Sequence, residues 1–201
     1  MARTPRPDAL SAEKQLWVLV GGNGAGKSTF YRLYLQPLGL PFVNADLLAQ
    51  IAYPEALEQS SYEAALLAQE QRQQLLLQGV SFCFETVYSH PSKIDFVGRA
   101  KALGYQVVMV FIHLGDPSLN QARISMRVSQ GGHAVPPEKV QKRIPRLLEQ
   151  VKKSLPLCDV LRAYDNSSAD HPFISVFTIS NGSLETHLAP LPAWAVNMLA
   201  D

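Results

Sequence analysis

The chain of 201 residues has little cysteine, little charge and no long apolar run. Cys83 and Cys158 stand far apart, without metal-ligand spacing. That excludes a disulfide framework and reads as two reduced thiols of a cytoplasmic protein. Charged residues make up 17% and the formal net charge is +1, so no overall basic field marks a nucleic-acid or anionic-membrane partner. No stretch is long enough to span a bilayer, and the opening residues MARTPRPDALSAEK lack the apolar run of a signal peptide. Residues 1–14 are Pro-, Ala- and Arg-rich without periodicity and read as a flexible tail. Internal repeats, low-complexity tracts and composition breaks are also missing. With 47% hydrophobic residues, positions 15–201 read as one domain around a full core.

What is present is an alternation. Apolar runs at 15–20, 41–46, 81–86, 105–114 and 160–165 read as strands. Helical segments fall between them, at 27 to about 35, 60–78, 92–103, 116 to about 130 and 137 to about 153. Ser60 and Glu63 form a capping box, and Gly79 and Gly104 stop two of the helices. Pro145 is expected to kink the last. Strands alternating with helices imply βαβ units and a parallel sheet in a layered α/β domain. The continuous run YQVVMVFIHL suits a strand buried on both faces. Near the end, FISVFTIS, Asn181-Gly182 and SLETHL read as a β-hairpin.

The first strand, ending VLV, breaks into GGNGAGKST. Gly21 and Gly26 are separated by four residues and precede Lys27-Ser28, the complete Walker A pattern between a strand and a helix. Glycines let successive backbone N–H groups turn toward phosphate oxygens, and the helix start adds unpaired donors and a positive dipole end. Gly21, Gly22, Asn23, Gly24, Ala25, Gly26, Lys27, Ser28 and Thr29 are therefore the candidate nucleotide-binding residues. Lys27 would neutralise the outer phosphates and Ser28 would ligate Mg²⁺, with ATP as the nucleotide.

Asp46 and Glu85 end apolar runs, so both are expected in the crevice at the carboxyl ends of the strands. A carboxylate there can take a proton from an attacking hydroxyl or hold metal through water. Asp46 is also placed to cap the helix that follows, and Thr86 and Ser89 offer hydroxyls. Arg123 and Arg127 share a helix face; beyond Gly131-Gly132 come His133, Lys139, Lys142, Arg143 and Arg146. Arginines around a glycine hinge suit a lid over a polyphosphate, with Arg127 acting on the transferring group. Lys139, Lys142, Lys152 and Lys153 read as a solvated face. SQGGH at 129–133 echoes the signature loop of transporter ATPases, but no strand here ends in an Asp-Glu pair.

The ordered set GGNGAGKST, FVNAD, FET, RISMRVSQGGHAVP and YDNS resembles the zeta-toxin family of P-loop kinases, in the branch often labelled predicted ABC-type ATPases. The resemblance runs from about Leu16 to Ser167. It implies a nucleoside-kinase-like sheet of order 2-3-1-4-5. It also implies transfer of the ATP γ-phosphate to a small-molecule hydroxyl, which in the best-studied members belongs to UDP-N-acetylglucosamine. A partner antitoxin protein blocks those members. By resemblance Lys27 is the phosphate lysine, Asp46 the base, Glu85 an acceptor-binding acid and Arg127 a phosphate-contacting arginine. Thr86, Arg123, His133 and Arg143 complete the expected acceptor site. The family's toxins carry Glu-x-Thr where this chain has Glu85-Thr86-Val87, and a second lid arginine about where His133 falls. A P-loop ATPase or nucleotide-dependent switch without an acceptor is the other reading of the loop; an acid after the second strand favours transfer.

Overall fold

The computed structural model of the chain describes residues 13–55, 61–129 and 135–200. Among these residues seven strands form one sheet in the order β2-β3-β1-β4-β5-β6-β7. They are β1 (Gln15–Gly21), β2 (Phe42–Val43), β3 (Phe82–Thr86), β4 (Gln106–His113), β5 (Val160–Asp165), β6 (Ile174–Ser180) and β7 (Ser183–Thr186). The first five pair in parallel; β6 and β7 extend the edge in antiparallel fashion. The expected order 2-3-1-4-5 is thus present, and the hairpin joins the same sheet. Its turn takes positive φ at Asn181 and Gly182, as the Asn-Gly pair requires.

The helices are α1 (Lys27–Phe30), α2 (Ala45–Ala52), α3 (Ser61–Leu77), α4 (Ser92–Ala102), α5 (Pro117–Ser129), α6 (Pro137–Ser154) and α7 (Ala193–Leu199). α1 continues as a π-helical turn, Tyr31–Leu35. α6 is one helix from Pro137 to Ser154 and carries the exposed Pro145, the residue expected to kink it, in its interior. Ser60, half of the expected capping box, and Gly131, Gly132 and His133 lie outside the described residues. α7 was not expected from the sequence: its short stretch has too few turns for a helical period to register.

Both faces of the central strands are buried. Alternate residues of β1 and β4 divide cleanly: Leu16, Val18, Val20, Val107, Met109 and Phe111 enter one apolar cluster. Trp17, Leu19, Val108, Val110 and Ile112 enter the other. The first cluster is covered by α3, α4, α6 and α7, the second by α1 and the turns after it. This two-sided burial is why these strands read as unbroken apolar runs. It also leaves the carboxyl ends of β1, β3, β4 and β5 as the edge where polar groups gather. Lys14, just before β1, already belongs to the fold, with its ammonium over the Tyr105 ring.

Candidate active site

The loop between β1 and α1 wraps back on itself. Ala25 N–H donates to the Gly22 carbonyl at 3.1 Å, and Phe30 N–H to Gly26 at 2.9 Å. Gly24 and Gly26 take φ of 78° and 95°, a left-handed conformation costly to residues with a Cβ. A Cβ at Gly24 would come within 2.7 Å of the Asn120 carbonyl oxygen, and one at Gly26 within 2.5 Å of Asn166 Nδ2. These glycines therefore serve packing from behind as well as access from the front. Two asparagines press the loop into shape. Asn120 on α5 donates to the Asn23 carbonyl at 2.7 Å, and buried Asn166, just after β5, donates to the Ala25 carbonyl at 2.9 Å.

Lys27 is buried at the loop's end, donating to the Gly22 carbonyl at 3.0 Å. Its ammonium lies 3.6 Å from Glu85 Oε1. The other Glu85 oxygen accepts from Ser28 Oγ at 3.1 Å and from Asn44 Nδ2 at 2.8 Å. Register explains this meeting. β3 pairs with β1 so that Glu85 lies beside Leu19, and with β2 so that Phe84 lies beside Val43, which sets Asn44 level with Glu85. Glu85 is thus a hub joining the phosphate loop to the neighbouring strand.

Asp46 does not end a strand. β2 stops at Val43, and Asp46 sits in the first turn of α2. Asn44 is the cap, its Oδ1 accepting from the N–H groups of Asp46 (2.8 Å) and Leu47 (3.2 Å). The expectation that Asp46 caps this helix is corrected: a residue inside the first turn cannot cap it, so its carboxylate is left for other work.

Asp46, Glu85, Lys27 and Asn23 line one cavity of about 370 Å³. Thr86, Val87, Tyr88, Ser89 and His90 form another part of its wall, and Arg127, Lys139 and Arg143 come from α5 and α6. Arg143 donates to Asn23 Oδ1 at 3.3 Å, so α6 touches the phosphate loop directly. Lys139, expected on a solvated face, faces the cavity as well as solvent. Arg123 does not line the cavity. Its guanidinium donates to the Asn166 carbonyl at 2.8 Å, which ties α5 to the loop after β5. The expectation that Arg123 belongs to the acceptor site is therefore corrected: at four-residue spacing on α5, Arg127 reaches the cavity and Arg123 braces the loop behind it.

Sequence reasoning missed the asparagines and one tyrosine. Asn44 and Asn166 sat inside the quoted strings FVNAD and YDNS, so a signal existed. Tyr88 takes φ 61°, held by its N–H to Thr86 Oγ1 (3.0 Å) and by its hydroxyl against Ser154 Oγ (2.8 Å). A non-glycine residue in this conformation at a cavity wall stores strain where shape matters. Among the described residues no group of three His, Cys, Asp or Glu side chains is arranged to hold a metal.

A glycine-shaped phosphate loop at the edge of a parallel sheet, with lysine, acids and arginines around one cavity, defines a P-loop protein of nucleotide-dependent, kinase-like function. The chain belongs to the zeta toxin family, whose model matches residues 4–170. It is 29% identical over 137 residues to an uncharacterized protein of Haemophilus influenzae, covering 65% of this chain and 97% of the relative. In fold it resembles AvrRxo1-ORF1:-ORF2 crystallised with ATP, with a TM-score of 0.69 and 18% identity over 87% of this chain. It spans only 61% of that structure's chain. It also resembles the PezAT chromosomal toxin–antitoxin system of Streptococcus pneumoniae, with a TM-score of 0.62 and 15% identity, covering 84% of this chain and 72% of that one. No helix among the described residues is long and apolar enough to cross a membrane.

Proposed function

We infer that the chain binds ATP with Mg²⁺ and transfers the γ-phosphate to a hydroxyl of a small molecule, with a UDP-amino sugar as the first acceptor to test. The carrying observation is that Asp46, uncommitted to capping, shares a cavity with the phosphate-loop lysine and with Glu85. The loop's backbone N–H groups and Lys27 hold the phosphates. Asp46 accepts the proton of the attacking hydroxyl, and Arg127 and Arg143 offset charge that develops on the transferring group. Glu85 holds Lys27, Ser28 and Asn44 in register, and Thr86 shapes the acceptor wall through Tyr88.

The donors fit Mg²⁺: the Ser28 hydroxyl and the Glu85 carboxylate are adjacent hard oxygens, and Mg²⁺ in such sites takes few protein ligands beside phosphates and water. When bound, the ion would neutralise phosphate charge. The family and the likeness to a toxin–antitoxin system support an antitoxin protein as a partner.

The test is ATP turnover with a panel of nucleotide sugars, nucleosides and NAD, read as phosphate mass shifts on the acceptor. Asp46→Asn is expected to keep ATP binding and to lose transfer by ~10²–10⁴-fold, because an amide cannot take the proton. Normal transfer by that variant would remove Asp46 from the chemistry. ATP consumption with no acceptor modified would favour an ATPase.

A further inference from the structure

The cavity wall built by α3, the loop after β3 and α4 carries two cations that phosphate transfer does not use. Arg72 on α3 is 6% exposed, and its guanidinium lies 5.2 Å from the Phe84 ring centre and 5.6 Å from that of Phe96. Both rings lie within cation–π distance of the guanidinium, and an aromatic ring offers its N–H groups no oxygen or nitrogen acceptor. Nε has no hydrogen-bond partner, and among the described residues no carboxylate pairs with Arg72. Lys93, half-buried in the first turn of α4, lines the same cavity. Its pKa is lowered by burial and by the charge of Arg72, so the two cations feel each other. Burial also brings Arg72 down to about 10.

Among the described residues the acids on this cavity wall are Asp46 and Glu85, and neither pairs with Arg72 or Lys93. A buried arginine beside a lysine, without a carboxylate, is costly unless an anion enters between them. The Ser89 hydroxyl lies on the same wall.

We propose that Arg72 and Lys93 form an oxyanion subsite that binds a phosphate group already carried by the acceptor, separate from the phosphate being transferred. This rests on the phosphotransferase reading. A phosphate ester carries a charge of about −1.5 to −2, which two cations match and a single carboxylate would not. The planar fork of Arg72 presents N–H groups suited to such an anion. The subsite would select acceptors bearing a phosphate over the same molecules without one.

Two measurements on the full chain test this. With the phosphate loop filled by a non-hydrolysable ATP analogue, inorganic phosphate is titrated by calorimetry. The wild type is expected to bind it, and Arg72→Gln to weaken binding about tenfold or more, the loss of a charge-assisted contact. Arg72→Lys should restore part of the affinity, which repair of packing alone would not predict. Lys93→Gln, at a half-buried position that folding tolerates better, should weaken binding about threefold or more. Equal phosphate affinity in wild type and Lys93→Gln, or in wild type and a folded Arg72→Gln, overturns the subsite. In the second measurement, sugars and their phosphate esters are compared as acceptors, with the ester expected to be preferred and the preference lost in Arg72→Gln. Transfer indifferent to the acceptor's phosphate and to Arg72 removes the subsite and leaves the kinase reading. Phosphate binding through Arg72 without transfer to any acceptor removes the kinase reading and leaves the subsite.

Discussion

Single residues decide the shape of the phosphate loop, and the most informative is Asn166. Its Nδ2 donates to the Ala25 carbonyl at 2.9 Å and its Oδ1 accepts from Phe173 N–H at 3.2 Å, while its own carbonyl accepts from Arg123. It is 5% exposed, so water cannot replace these partners. Asn166→Ala strands the buried Ala25 carbonyl and the part-buried Phe173 N–H, each costing up to about 1–3 kcal/mol. The expected outcome is a loss of about 2–4 kcal/mol in urea unfolding, with weaker nucleotide binding because the loop loses its brace. Stability within 0.5 kcal/mol of wild type, a margin typical of surface changes, would mean that the loop holds its shape without Asn166. Glu85 works at the same scale in another way. It gathers Lys27 and Ser28 of α1 and Asn44, the cap of α2, onto one carboxylate.

At the scale of elements, α5 and α6 stand out as a pair. Ile124, Val135, Val140 and Ile144 form a small apolar cluster of their own, apart from the two clusters on the sheet. The spacing of Val140, Ile144, Leu147 and Val151 puts these side chains on one buried face of α6. This pair carries Arg127, Lys139 and Arg143 to the cavity. An arginine placed for charge that grows during transfer contributes little to ground-state binding. Arg127→Ala should therefore lower transfer by ~10²-fold or more while changing ATP affinity less than about threefold. Parallel loss of affinity and turnover, measured by titration and steady-state kinetics, would make Arg127 a ground-state contact only.

At the scale of the whole molecule, α7 closes the sheet face beside β4 and β5. Trp194 packs on Phe111, His113 and Phe177, and its Nε1 donates to Asp165 Oδ2 at 3.1 Å. This burial pushes His113 from 6.5 down to about 4, against the opposing pull of Asp165. The folded chain keeps His113 neutral while the unfolded chain protonates first. Its contribution is thus complete above the unfolded pKa of 6.5 and is lost as pH falls from there toward 4. Stability should drop by about 2 kcal/mol between pH 7 and pH 5 from this group. His113→Asn should flatten that part of the curve in urea unfolding at the two pH values. An unchanged slope would assign the acid sensitivity to other groups.

Consecutive residues determined much by themselves. The glycine spacing before Lys27, the unbroken apolar run of β4 and the Asn181-Gly182 turn are local patterns, and each appears in the structure where the sequence placed it. The order 2-3-1-4-5 followed from resemblance rather than periodicity, since no local pattern states which strand lies beside which. The tertiary structure alone decided how residues from separate elements meet. Pairing of β2 with β3 set Asn44 against Glu85 and made Asn44, not Asp46, the cap of α2. The turn of α5 sent Arg127 to the cavity and Arg123 behind the loop. Arg72 looked like one polar residue among many on a glutamine-rich helix, until Phe84 and Phe96 closed over it. Such meetings depend on strand register, helix rotation and burial from distant segments, and these are set only when the layers pack.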